Sequence, residues 1–135
     1  MIKEEYKHSD ITAGVIGCAM KVHQRMRNGY QGVIYHRCLC IEFDKEGIKY
    51  QQEREMPIFY EDINIEKRSI DFLIEDKDVL KIKAVSELTD TCLAQALNYL
   101  EILSQEIGLL LNFGAKSLEI KRIANNKKKE SKKSY

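Results

Sequence analysis

An α/β fold follows from three features of this 135-residue chain. The first half opens with two segments whose apolar residues recur at helical spacing. After Gly47 the pattern switches to period two, the mark of strands. Further on, an amphipathic helical segment lies between two apolar runs, VLKIKAV and IGLLLNF. A helix joining two such strands makes a crossover, so these strands are expected to be parallel neighbours.

The elements follow in order. Ser9 or Asp10 is placed to cap a helix through ITAGVIGCAMKVHQRM, with Ile11, Val15, Cys18, Ala19, Val22 and Met26 on its apolar face. Asn28-Gly29 ends it, because both residues tolerate the left-handed conformation. A second helix begins near Gly32 and closes at Gly47, with Ile34, Cys38, Ile41 and Phe43 as its expected buried side. IKYQQEREMPIFYED reads as one or two strands broken near Pro57, the chain's single proline. A turn at Asp62-Ile63-Asn64 leads to KRSIDFLIED, with Ile70, Phe72 and Ile74 expected on one face and Asp71 on the other. A charged turn from Glu75 to Asp78 joins it to VLKIKAV. Thr89 or Asp90 caps a third helix striped by Leu93, Ala96, Leu97, Leu100 and Leu103. IGLLLNF reads as a strand buried on both faces, and SLEIKRI as a last strand at an edge. The expected order is α-α-β-β-β-β-α-β-β, a single domain over 1–124 followed by a basic, disordered tail over 125–135.

Composition limits the function classes. Hydrophobic residues make up 44% and charged residues 32%, values of a globular domain rather than a disordered chain. No apolar run is long enough to cross a membrane, and MIKEEYKHSD lacks the apolar stretch of a signal peptide. A cytoplasmic location with reduced thiols is expected. The four cysteines, Cys18, Cys38, Cys40 and Cys92, have no zinc-knuckle or redox spacing. His36 and Cys40 share a helix face, so a soft-metal pair is conceivable there, but free cysteines behave mainly as small buried hydrophobes. From Lys121 to Tyr135 there are seven basic residues and one acidic, on an otherwise mildly acidic body. Such a tail either touches nucleic-acid phosphates or keeps the chain soluble.

The chemistry lies in one constellation. Asp71 sits mid-strand. A hairpin then leads to a strand with charged residues at i and i+2, Lys81 and Lys83, and a helix carries Gln95 and Tyr99 four apart. With MKVHQRM, NGYQGVIY, AQALNYLEIL, GLLLNFG and SLEIKRI around it, the chain resembles the GxxExxY family of PD-(D/E)XK nuclease-like proteins over residues 10–124. The resemblance implies a restriction-endonuclease-like core, a mixed central sheet flanked by helices. It implies Mg²⁺ or Mn²⁺ held by carboxylates, with the metal polarising a phosphodiester and activating water. It also implies catalytic roles for Asp71, Lys83, Gln95 and Tyr99, substrate contacts from Lys81 and Tyr35, and DNA or RNA as partner.

Two positions depart from that pattern. Gly32 stands where Gly-x-x-Glu-x-x-Tyr has its glutamate, and Lys81 stands where the second metal-binding carboxylate belongs, leaving Asp71 as the remnant ligand. Two like charges about 4 Å apart cost roughly 4 kcal/mol at an effective dielectric near 20. A divalent cation beside Lys81 and Lys83, offset by Asp71 alone, should therefore not be held tightly. Lys81 is expected to pair with Asp71 in the metal's place. Glu53, Glu55, Glu75 and Glu87 are the carboxylates nearby that could relocate a metal site; as acidic residues they are expected to be solvated. His23 reads as a structural histidine. Three functions follow: an impaired nuclease homologue that binds nucleic acid, an active nuclease with relocated carboxylates, or an interaction scaffold, including a homodimer, that uses only the fold.

Overall fold

The computed structural model describes residues 8–125, and the predicted basic tail lies almost wholly outside them. The chain runs α1 (Ser9–Met26), α2 (Gly32–Glu46), β1 (Tyr50–Tyr60), β2 (Ile63–Ile74), β3 (Asp78–Lys83), α3 (Asp90–Leu103), β4 (Ile107–Asn112) and β5 (Glu119–Ala124). The strands form one sheet in the order β1-β2-β3-β4-β5. Only β3 and β4 are parallel, joined through α3 as their spacing predicted; the other neighbours are antiparallel.

Two helices cover one face of the sheet and one covers the other. Val15, Ala19, Tyr35, Leu39 and Phe43 of α1 and α2 pack on Phe72, Leu80, Leu109, Leu111 and Phe113. On the opposite face Leu100 of α3 packs with Met56, Leu73 and Val79. Every residue of β4 is buried, as expected of a strand sandwiched between helical layers. β5 closes one edge and β1 the other.

Several local expectations are corrected. Pro57 does not break the strand: β1 runs through it, opposite Lys67, because an edge strand tolerates a missing N–H. Asn28-Gly29 follows a helix that already ends at Met26, where Arg27 turns to φ 62° before Gly29 at φ 116°. Neither Ser9 nor Asp10 caps α1. His8 occupies that position in the left-handed region, and Thr12 Oγ1 donates back to the carbonyls of His8 and Ser9. The buried face of α2 is rotated from the predicted one: Tyr35, His36, Leu39, Glu42 and Phe43 are buried, while Ile41 is 56% exposed. A buried glutamate and histidine on that helix obscure its apolar stripe, and Glu42 is held inside by Lys21 at 3.1 Å.

The strand alternation in β2 also fails at one place. Phe72 and Ile74 face α1 and α2, but Ile70 joins Leu73 and Met56 on the α3 side. The change of face falls at Asp71. β2 pairs with β3 only at Phe72, Leu73 and Ile74, and beyond them it leaves the sheet with β1 as a two-stranded arm. The arm closes in a two-residue turn at Glu61 and Asp62, both left-handed (φ 48° and 66°), one residue earlier than predicted.

Candidate active site

The notch where β2 parts from β3 gathers most of the predicted site. Were the ladder to continue, Asp71 would face Lys81. Instead the Asp71 carboxylate fills the gap, its Oδ2 accepting a 2.8 Å hydrogen bond from the Ile82 N–H. A side chain thus replaces a missing backbone acceptor, which keeps a buried donor satisfied. Leu80 and Ile82 face α1 and α2, so alternation turns Lys81 and Lys83 toward α3. Lys81 Nζ lies 3.6 Å from Asp71 Oδ2 and 5.3 Å from the centre of the Tyr99 ring. Lys83 Nζ donates to Gln95 Oε1 at 3.3 Å. Gln95 and Tyr99 share one face of α3, so the two lysines and the two helical residues form facing rows between the end of β3 and α3, and the space between these rows is the cleft.

Local structure fixes these rows. Thr89 caps α3, its hydroxyl accepting from Cys92 N at 3.3 Å. The segment after Lys83 is latched by the fully buried Asn112 side chain, which accepts from Val85 N (2.9 Å) and donates to Val85 O (2.9 Å) and Glu119 Oε1 (2.7 Å). Gly114 lies so close that a Cβ there would stand 2.4 Å from Val85 backbone atoms, so no larger residue fits. The end of β3 and the start of α3 are therefore held rigidly to β4.

From the other face of the sheet, His36 reaches the same carboxylate. It is buried, stacks on Phe72 with ring centres 4.2 Å apart, and places Nδ1 3.6 Å from Asp71 Oδ1. Its Nε2 lies 3.0 Å from Gln52 Oε1, which also accepts from the Cys40 thiol at 3.3 Å. The His36 and Cys40 pairing noted in the sequence thus converges on a neutral amide. Burial, its largest influence, pushes the Cys40 thiol up, away from the thiolate a metal would need. Near the cleft mouth Cys92 is shifted the other way, chiefly by hydrogen bonds from Thr89, with the Lys83 charge adding to them. In the sequence His36 stood out only as half of a soft-metal pair with Cys40, not as a partner of Asp71, and Gln52 did not stand out at all. The usable signal was spacing alone, since His36 is one helical turn after Gly32.

Tyr35 is a correction. The resemblance implied a substrate contact, but Tyr35 is fully buried and stacks on Phe113 at 4.7 Å. Its hydroxyl donates to Arg27 O at 2.6 Å and accepts from Tyr30 N at 3.1 Å, so it clamps the loop between α1 and α2. His23 is structural as expected, buried and 3.0 Å from Ala115 O. Gly32 opens α2 with free space where a side chain would project.

The family comparison agrees with this architecture. A family model described as the PD-(D/E)XK nuclease superfamily matches residues 9–123. The chain belongs to the PD-(D/E)XK nuclease superfamily. No curated protein and no solved structure gives a significant match. Superfamily members typically use Mg²⁺ or Mn²⁺, and the residues here do not fit such an ion. Among the described residues no group of three or more His, Cys, Asp or Glu side chains could hold a metal. Asp71 stands alone as a carboxylate, one oxygen on Ile82 N–H and Lys81, the other toward His36. Glu53, Glu55 and Glu87 are exposed, and Glu75 lies in the turn before β3. Hard divalent cations require several oxygen ligands, and an ammonium at the carboxylate opposes their approach.

Proposed function

We propose that this chain is a metal-poor member of the nuclease superfamily that binds nucleic acid through the cleft and does not cut it. Within the superfamily its motifs are nearest the GxxExxY type, with Gly32 and Lys81 in place of two metal-binding glutamates. The Lys81–Asp71 pair at 3.6 Å carries the proposal. It sets a tethered cation where a metal-dependent nuclease needs a divalent one, and the Tyr99 ring lies 5.3 Å from that ammonium. Lys81 and Lys83 would then contact phosphates directly. Gln95 would orient Lys83, and Tyr99 would offer a ring for a base to stack on.

The test runs the native chain beside a Gly32→Glu, Lys81→Glu double variant on single- and double-stranded DNA and RNA with Mn²⁺. The native chain is expected to bind with a steep salt dependence and leave all substrates intact, while the double variant cuts. Lys83→Ala should weaken binding evenly across sequences and lower the salt slope by about one. Salt-insensitive or absent binding by the native chain would count against nucleic acid and leave the fold as a scaffold, including the homodimer weighed from sequence. Cleavage by the native chain, stopped by Asp71→Asn, would mean that relocated carboxylates hold a metal, and the proposal would be wrong.

A further inference from the structure

Beyond Asp71, β2 has a neighbour on one side only. Its pairing with β1 extends to the turn, but its pairing with β3 ends at Phe72. The seven residues from Ile63 to Ser69 are all exposed, and among the described residues their outer edge has no strand partner. An isolated two-stranded ribbon is marginally stable in water, and an open edge is a template for another strand. The tip also carries a cluster of large apolar side chains: Phe59, Tyr60, Ile63 and Ile65 are 59–65% exposed. Soluble chains rarely leave such a group uncovered without a partner for it.

The charges along this edge select the partner. Its sequence is Glu61-Asp62-Ile63-Asn64-Ile65-Glu66-Lys67-Arg68, acidic at one end and basic at the other. Such an order is complementary to itself read backwards. We infer that the outer edge of β2 pairs antiparallel with the same edge of a second copy, making a continuous four-stranded sheet across a two-fold dimer. The register of β1 on β2 shifts between Ile58, which faces Glu66, and Phe59, which faces Asn64, so alternation along β2 is interrupted at Ile65. The ends of the edge therefore set the pairing. Antiparallel association about a two-fold axis brings the acidic turn of each protomer, Glu61 and Asp62, toward Lys67 and Arg68 of the other, opposite charges at both ends.

Arg68 now bridges Glu66 of its own strand at 3.2 Å, both side chains about half exposed, a weak pair that does not prevent the exchange. Nucleic acid fits this surface poorly, because the tip presents Glu61, Asp62 and Glu66. The pairing is independent of whether the cleft binds or cuts anything.

Light scattering after size exclusion, over a range of concentrations of the full chain, tests it. The native chain should show a concentration-dependent dimer, and Ile65→Lys should be monomeric with an unchanged circular dichroism spectrum. Asp62→Arg and Arg68→Asp should each weaken dimerisation about tenfold, and together restore it. A single-chain mass at every concentration overturns the inference. So does a dimer indifferent to Ile65→Lys, or a charge-swapped pair no better than its single changes. A monomeric chain whose affinity for nucleic acid falls with Ile65→Lys would also overturn it, giving the arm to nucleic acid.

Discussion

The arm and the body of this sheet are built from the same two strands, yet they follow different rules. In the body, Phe72 is fully buried and meets the rings of His36, Phe43 and Tyr50 at 4.2–5.4 Å. A few residues along β2, Ile63 and Ile65 are as apolar and lie almost two-thirds exposed. Hydrophobicity alone therefore does not decide burial. A strand is buried where helices cover both faces of its sheet, and the helical cover stops near Ile70. The site sits at the boundary, where rigid body meets free arm.

The largest effect should follow from emptying the body. Phe72→Ala removes a ring from the shared aromatic cluster and is expected to cost about 3–5 kcal/mol, read from denaturant unfolding. A cost below about 1 kcal/mol would mean that body and arm are alike in packing.

The boundary itself comes next. Asp71→Ala removes the acceptor for Ile82 N–H and should cost about 1–3 kcal/mol, whereas Asp71→Asn keeps an acceptor and should cost less. Equal costs would show that the notch is not held by that hydrogen bond.

A smaller, pH-dependent effect distinguishes the body further. Asp78 is buried at the start of β3, with Oδ2 lacking a hydrogen-bond partner among the described residues and Oδ1 on His8. Burial raises its carboxyl above the ordinary carboxylate range, opposed first by the His8 hydrogen bond. The folded chain then holds the proton to higher pH than the unfolded one. Stability should fall as pH rises from the ordinary carboxylate value of about 3.9 through the raised one, and stay lower above it. Asp78→Asn should remove that fall in thermal midpoints measured across acid pH. Glu42 works in the opposite sense. Its carboxyl is lowered, chiefly by the Lys21 hydrogen bond, so its contribution is lost as pH drops through the carboxylate range. The least effect belongs to the arm: Phe59→Ser should change the monomer's stability by no more than about 0.5 kcal/mol.

Much of this fold was legible because its signals are local. Gly47 at φ 70° ends α2 as predicted, Thr89 caps α3, and the crossover from β3 to β4 through α3 follows from spacing. Asp71, Lys81, Lys83, Gln95 and Tyr99 were named through the resemblance to a nuclease-like family, and strand alternation with i,i+4 spacing on a helix explains why the fold brings them together. What escaped depends on contacts distant in sequence. The face of α2 was mispredicted because Glu42 and His36 are buried through partners on α1 and β2. Tyr35 was assigned to substrate because nothing in its neighbours reveals Phe113 stacked against it. The shift of Ile70 to the α3 side arises where β2 leaves β3, an event with no period in the sequence.

Asp71 carries a last consequence. Its carboxylate closes the ladder at the point where two strands separate, so the fold has its own use for an acid there, whatever the chemistry of the cleft. An aspartate at this position can be retained by architecture alone, with or without a reaction to serve. Its presence in a chain of this shape is therefore weak testimony for an active enzyme, and the neighbours at positions 32 and 81 are the better witnesses.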